Sequence, residues 1–377
     1  MLRVLHILGH LQNAGAEMSI MNYYRHLDNT QVQFDFFLYA SKKKHGVDKY
    51  FFEDEATQLG ANIYHHPVHG GFNPITNPGF AKKMFEIFKE DKNIKIVHIH
   101  IATPRAAAVV AMVARVAGIK VRIVQCHSVV TDLPFSTSVF KPLLRRAASH
   151  WMACSTEAGR ALFGEKAWDK SKRTYLMLNA RKLEEFRLDQ EKRSAKRREL
   201  SIDTKLVAIS VARLSLVKNI TFLLDVFSHL LRKHSNAVLL IAGEGHIEGE
   251  LKNKAKELGI ENSVNFLGLR SDVPELLFAA DVYAMPSIRE GLPGAAIEAQ
   301  AAGLPCLLSD TISKETKVTE NVQFLPINQG VDEWAEAIIK LKDFKRRDTY
   351  EDVRQAGYEI ADAAKKLQEF YLQAVKK

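Results

Sequence analysis

The sequence predicts an α/β fold built as two Rossmann-like domains that face each other across a cleft. Three observations carry that prediction. The chain has 377 residues, too many for one ordinary core and enough for two. Its hydrophobic fraction of 46% and charged fraction of 26% are those of a soluble globular protein. Short β-branched runs alternate with helical patterns in two successive series, and the polar stretch 180–203 stands between them.

The first series opens with Leu2–Leu8 (LRVLHIL), an apolar run that reads as a buried strand. Gly9 and Asn13-Ala14-Gly15-Ala16-Glu17 follow, then a helical pattern through Met18, Met21, Tyr24 and Leu27. A strand, a glycine-bearing loop and a helix in this order aim backbone N–H groups at a phosphate, although many such loops bind nothing. Val32–Ala40 is a second strand, Ala56–Gly60 ends a helix, and Asn62–His66 is a third strand. Gly70–Pro78 is a Pro/Gly/Asn loop ahead of an amphipathic helix, Phe80–Lys89.

Ile94–Ile101 (IKIVHIHI) is a strand with His98 and His100 on one face, since they differ by two. Pro104–Ala117 is a helix and Val121–Cys126 a strand, with His127-Ser128 just past its carboxyl end. Open parallel sheets bind ligands there, so His127 is better placed for function than His98, which reads as a core or supporting residue. A loop histidine bonded to backbone is the equal alternative for His127. Ser138–Ser149 reads as a helix whose basic face holds Lys141, Arg145 and Arg146. A solvated face is the first reading, a membrane-surface helix the second. Trp151–Ser155 and Tyr175–Leu178 end the first series as strands.

Residues 180–203 read as a linker and an exposed helix. The rhythm restarts with strand Leu206–Ala212, loop Arg213–Lys218 and helix Asn219–Lys233, with Asn219 as its N-cap. Next come strand Val238–Ala242, the turn Gly243-Glu244-Gly245, helix Ile247–Leu258, strand Val264–Leu267 and the turn Gly268–Val273. Pro274 opens a short helix, and Asp281–Pro286 is a strand. Cys306–Ser309 and Val322–Leu325 are short strands, and two helical runs end the chain.

The stretch Ser287–Pro305 (SIREGLPGAAIEAQAAGLP) is the most informative. Gly291, Pro293 and Gly294 form a tight loop into a helix, with Pro293 at a first helical position and Gly303 and Pro305 at the stop. The helix is rich in alanine, so it is packed on most sides and its carboxylate needs a partner. Glu290 and Glu298 stand eight residues apart, roughly 12 Å of helical rise. That is comparable to the reach from a sugar hydroxyl, across a diphosphate, to a ribose. The plainer reading is a helix-dipole partner and a surface salt bridge.

Composition narrows the function classes. No apolar run reaches transmembrane length; the nearest, Ala106–Ala114, stops at Arg115. The start, MLRVLHIL, is too short for a signal peptide. Cys126, Cys154 and Cys306 lie far apart without CxxC or zinc spacing, which points to free thiols in a reducing compartment. Residues 1–180 hold 23 Lys+Arg against 14 Asp+Glu, whereas 181–377 hold 30 against 30. The whole basic excess therefore sits in the first half, which suits a phosphorylated acceptor, an acidic membrane surface or nucleic acid, or serves solubility alone.

The second half resembles the GT-B-fold, retaining glycosyltransferases of family 4. Arg213-x4-Lys218, the Gly-Glu-Gly turn, Ser271-Asp272-Val273-Pro274 and Glu290-x7-Glu298 occur in that family's order. The first half matches through the Gly15-Ala16-Glu17 loop, the His-Ile-His strand and His127. The resemblance implies a nucleotide-sugar domain over 181–357 and an acceptor-side domain over 1–180, on which a helix at about 358–377 can pack back. It implies that Arg213 and Lys218 hold the donor diphosphate and that Glu298 accepts from the ribose hydroxyls. Glu290, with Gly291, Leu292 and Gly294 N–H groups, would hold the transferred sugar, Pro293 shaping that loop. Glu244 and the turn through Arg270 and Val273 would line the nucleotide, Gly15 would approach the diphosphate, and His127 would contact the sugar or stabilise charge at its anomeric carbon. Three departures stand out: Ala14, Ala212 and Ala180 replace glycines usual in the family.

The implied reaction moves a hexose-type sugar from a nucleoside diphosphate sugar, UDP-linked by expectation, with retained configuration. No DxD or His/Asp cluster suggests a metal, so no cofactor is expected beyond the sugar nucleotide itself. The resemblance is strongest to bacterial exopolysaccharide and capsule enzymes, whose acceptors are often lipid-pyrophosphate-linked sugars or oligosaccharides. That implies a cytoplasmic protein, with peripheral contact between its basic first domain and the anionic inner face of the plasma membrane. A non-catalytic nucleotide-sugar-binding subunit and a GT-B epimerase or phosphorylase are the alternatives. Nucleic-acid binding has only the charge in its favour, with no recognised module, and is not expected.

Overall fold

In the computed structural model, which describes residues 1–40, 42, 46–66, 78–101, 103–127, 138–328 and 330–376, the chain divides into two compact units. One is Met1–Ala180 with Ile360–Lys377, the other Arg181–Glu359. The expected loop Gly70–Pro78 (but for the first residue of the helix after it) and Ser128 lie outside the described residues.

The first unit is built on seven strands, all parallel: β1 (Leu2–Leu8), β2 (Val32–Leu38), β3 (Ile63–His65), β4 (Ile94–Ile99), β5 (Val121–Cys126), β6 (His150–Ala153) and β7 (Thr174–Leu176). Their order in the sheet is β3-β2-β1-β4-β5-β6-β7. Several strands are shorter than the apolar runs suggest, because pairing stops before the last apolar residue. β1 and β2 are buried at every position, as strands covered on both faces must be. In β1, Leu5 and Ile7 pack with the alanine-rich helix Pro104–Val116, while Val4 and Leu8 pack toward the helices Gly15–His26 and Ile360–Ala374. The period of two thus places His6 on the second face.

Ile360–Ala374 belongs to this unit because of one stripe. Ile360, Ala364, Leu367, Tyr371 and Ala374 recur every three or four residues and all are buried. The charge in the buried strand VQFDFFL also has its partner. Arg3 Nε donates to Asp35 Oδ2 at 2.7 Å, and the Asn62 N–H donates to Oδ1 at 2.8 Å. A buried carboxylate persists only when so surrounded.

The second unit has six parallel strands: β8 (Leu206–Val211), β9 (Ala237–Ala242), β10 (Val264–Gly268), β11 (Val282–Met285), β12 (Cys306–Ser309) and β13 (Val322–Leu325). They are ordered β10-β9-β8-β11-β12-β13. The expected exposed helix after residue 180 needs correction. Gln190–Glu199 packs on the helix Val273–Ala279, and Lys196 and Arg197 are only 9% exposed. Its charges hide the burial because they are paired. Arg193 Nη2 reaches Asp281 Oδ1 at 2.6 Å, and Arg197 Nη1 caps the Ala279 carbonyl at 2.7 Å. All three cysteines are buried thiols, and none is in a disulfide.

Candidate nucleotide-sugar site

In the second sheet the chain runs outward from β8 through β9 to β10, then returns to β11 on the other side of β8. Such a reversal opens a crevice beyond the carboxyl ends of the two central strands. The candidate residues follow those two ends: Arg213 and Lys218 after β8, Glu290 after β11, and Glu298 on the helix Gly294–Ala301.

The loops carrying them are held by backbone and by two glycines. A Cβ on Gly243 would lie 2.0 Å from the Ala212 carbonyl oxygen, and one on Gly245 would lie 1.9 Å from that of Leu214. The Gly-Glu-Gly turn therefore packs directly against the Arg213 loop, where no side chain fits. The Leu214 N–H donates to the Glu244 carbonyl at 2.9 Å. On the other side, the Ile288 N–H donates to the Val217 carbonyl at 2.8 Å, joining the two loops. Asn219 does not cap its helix with its side chain, as the sequence suggests it should. It sits in the left-handed region at φ 54, and its Nδ2 donates to the Pro286 carbonyl at 3.1 Å. Asparagine tolerates that conformation, and the side chain pins the Lys218 loop to the end of β11.

The charges pair in a definite pattern. Lys218 Nζ forms an ion pair with Glu290 Oε1, the two side chains 22% and 18% exposed. Arg181 Nε donates to Glu298 Oε1 at 2.7 Å, in a pair 18% and 16% exposed. Arg213 is exposed and has no ion-pair partner among the described residues. Burial pushes the Tyr283 phenol far up, and Cys306, Glu298 and Glu290 add to it, so both carboxylates bear on one buried side chain of β11. Sequence reasoning missed Arg181, which it left in the linker. Nothing in the sequence links it to the site; in the fold Gly294 makes room for it, since a Cβ there would lie 2.4 Å from Arg181 Nη2.

Pro293 is buried at the N-cap with extended backbone (φ −70, ψ 117), not at the first helical position that the sequence suggests. Its ring shapes the entry, and the helix begins at Gly294. The N–H groups of Gly291, Leu292 and Gly294 find no acceptor among the described residues. Together they make a polar, donor-rich entry to a helix N-terminus. Glu244 is exposed, and its Oε1 accepts from the Leu269 N–H at 3.3 Å. Arg270 forks onto Asp272 at 2.7 and 2.6 Å, with Lys196 Nζ 2.8 Å from the same carboxylate, and these cations hold Asp272 well below the usual carboxylate range. Val273 opens the next helix and is half-buried.

In the first unit, Gly15 begins the helix Gly15–His26, with open space where its Cβ would be. Among the described residues only Ser201 and Asn219 have positive φ outside glycine, so Ala14, Ala180 and Ala212 all sit at ordinary backbone angles. The three departures from the family pattern are therefore unstrained. His98 is fully buried, its Nδ1 2.8 Å from the Tyr371 hydroxyl, and so supports the core. His127 is half-buried past β5, and burial pulls its imidazole down to about 4. A histidine cluster, which the sequence did not suggest, does form: His6, His98 and His100 each have a nitrogen within 4.8 Å of the others. Within it His6 Nδ1 and His100 Nε2 are hydrogen-bonded at 2.8 Å, while His98 bonds Tyr371 instead.

Residues 191–360 match the family model described as glycosyl transferases group 1. A putative glycosyltransferase of Bacillus subtilis (strain 168), EpsF, is 33% identical over 372 residues, 95% of this chain and 93% of that protein. A UDP-Gal:alpha-D-GlcNAc-diphosphoundecaprenol alpha-1,3-galactosyltransferase of Escherichia coli is 30% identical over 139 residues, 36% of each chain. The crystal structure of Anabaena Alr3699/HepE in complex with UDP superposes with a TM-score of 0.78 at 16% identity, covering 99% of this chain and 100% of that one. The last of these shows the fold, two Rossmann-like domains of the GT-B class. The EpsF likeness runs nearly end to end, and by it the chain belongs to the group 1 glycosyl transferases.

Proposed function

We propose that this glycosyltransferase moves a hexose-type sugar from a UDP-sugar, with retained anomeric configuration and without a metal ion, to a lipid-pyrophosphate-linked or oligosaccharide acceptor in exopolysaccharide or capsule synthesis. The observation that carries the reading is the cation and carboxylate set after β8 and β11: exposed Arg213, the Lys218–Glu290 pair and the Arg181–Glu298 pair. Arg213 and Lys218 meet the diphosphate oxygens and stabilise the charge that develops on them. Glu298 accepts from the ribose hydroxyls. Glu290 and the free N–H groups of Gly291, Leu292 and Gly294 hold the hydroxyls of the sugar. Glu244, Arg270 and Val273 border the base, Gly15 faces the diphosphate, and His127 donates toward the sugar.

The reaction is a front-face displacement. The bond from the anomeric carbon to the phosphate oxygen breaks, and its electron pair leaves with UDP. The acceptor hydroxyl oxygen bonds to the same face, and its proton passes to the departing phosphate. Glu290 positions and does not attack. UDP as the nucleotide is supported by the UDP-bound HepE structure, and the lipid acceptor by the name of the Escherichia coli relative. No helix among the described residues is long and apolar enough to cross a membrane. We place the protein in the cytoplasm, with its basic first unit toward the anionic inner membrane face.

The test is transfer from a panel of UDP-sugars to undecaprenyl-diphosphate-linked sugars, with and without EDTA, and NMR of the product linkage. The reading requires turnover that survives EDTA and a product with the donor's anomeric configuration. An inverted product, or activity that EDTA abolishes and a divalent ion restores, sinks it.

A further inference from the structure

Three histidines of the first unit form one hydrogen-bonded row. His6 lies on β1, His100 just past β4 and His127 just past β5. These strands are neighbours in the sheet, β1 beside β4 beside β5, so the three rings are stepped across it. His6 Nδ1 is 2.8 Å from His100 Nε2, and His100 Nδ1 is 2.7 Å from His127 Nε2. The two end atoms, His6 Nε2 and His127 Nδ1, are buried and have no hydrogen-bond partner among the described residues.

Burial disfavours the charged form of all three rings and keeps them neutral. A neutral imidazole carries one N–H. Three rings thus bring three protons, two of which lie in the two internal bonds. The third must stand at one end of the row, and its place sets the direction of every bond. At the His6 end it would be an N–H orphaned in an aromatic core, with the Phe34 ring centred 4.0 Å away. An unmet buried donor is the rarer and more costly of the two defects. At the His127 end the N–H is buried and unmet as well, but it stands past the carboxyl end of β5, where the proposed sugar supplies its acceptor, whereas no ligand meets one at His6.

We propose that His6 and His100 are positioning residues that hold His127 in the Nδ1–H form, so that it presents a fixed hydrogen-bond donor at the far end of the row. The inference rests on the reading that His127 stands at the transferred sugar. His127 then donates to a sugar oxygen or to charge developing on the leaving group, and does not act as a base. In water either tautomer would be available; here the row selects one before substrate arrives.

Histidine-selective 15N NMR on the full chain, assigned by single substitutions, reads the tautomer directly. The inference requires His127 protonated at Nδ1 and bare at Nε2 in the wild type. In His100→Leu the preference is lost, and kcat falls roughly tenfold or more with little change in the donor KM. His100→Asn, whose carboxamide can donate from the place of Nδ1, keeps more of kcat than His100→Leu. Protonation of His127 at Nε2, or a His100→Leu enzyme with wild-type kcat, overturns the inference. A metal ion held stoichiometrically by the purified chain also overturns it, because coordination at His6 and His100 breaks the row. If His100→Leu fails to fold, the wild-type spectrum and His100→Asn decide alone. Full activity in His127→Ala would instead overturn the role given to His127 itself. A dead His127→Ala beside a fully active His100→Leu removes only the row.

Discussion

At the scale of single residues, the acids of the second unit are not free carboxylates awaiting substrate. Each is held by a cation, Glu290 by Lys218 and Glu298 by Arg181. A donor that uses Glu298 must share it with Arg181 or displace it, so the guanidinium is part of the site. Asp272 is a different case, because its carboxylate holds the Arg270 turn to the Gln190–Glu199 helix through Lys196. Arg270 and Lys196 hold its carboxyl low in the folded chain, so it adds stability above the ordinary carboxylate range. That contribution disappears as pH falls below about 4 toward the depressed value. Asp272→Asn should therefore lose about 1 kcal/mol at pH 7, and the gap to wild type should narrow between pH 4 and 2. Urea melts across that window measure it; a gap that widens on acidification would refute the pairing.

At the scale of elements, the strands announce themselves because a parallel sheet buried on both faces needs continuous apolar runs. The loop after Glu290 and the Gly-Glu-Gly turn were legible for a related reason: glycines and proline mark where backbone must turn or approach closely. Gly245 illustrates it, lying against the Leu214 carbonyl. Gly245→Ala should cost about 2 kcal/mol or more and weaken UDP binding, since the Arg213 loop must move. Gly249, with open space around it on the helix Glu248–Glu257, should accept alanine with a small gain in stability. Thermal melts and UDP titrations on the pair separate a packing glycine from an incidental one. What stayed hidden in the sequence was long-range pairing of polar groups. Arg181 meets Glu298 117 positions away, and the helix Gln190–Glu199 looks solvated until its arginines find Asp281 and the Ala279 carbonyl. The row from His6 to His127 was hidden similarly, since only the strand order brings those histidines together.

At the scale of the whole molecule, the chain closes its first unit last. Ile360–Ala374 returns to cover the face of the first sheet that carries His6 and His98, with Tyr371 bonded to the latter. A chain ending at residue 359 should lose amide-exchange protection in β1 and β4, by roughly a hundredfold or more, while β8 and β11 keep theirs. Unchanged protection in β1 would mean that the helix is an accessory. The second unit carries the central claim, because the segments that follow β8 and β11 carry Arg213, Lys218, Glu290 and Glu298. Calorimetric titration of UDP into the wild type, Lys218→Ala and Glu298→Ala tests that claim most directly. Each variant should keep the wild-type melting behaviour and bind UDP about ten- to a hundredfold more weakly, the worth of one hydrogen bond to a charged group. Wild-type affinity in both variants would contradict it.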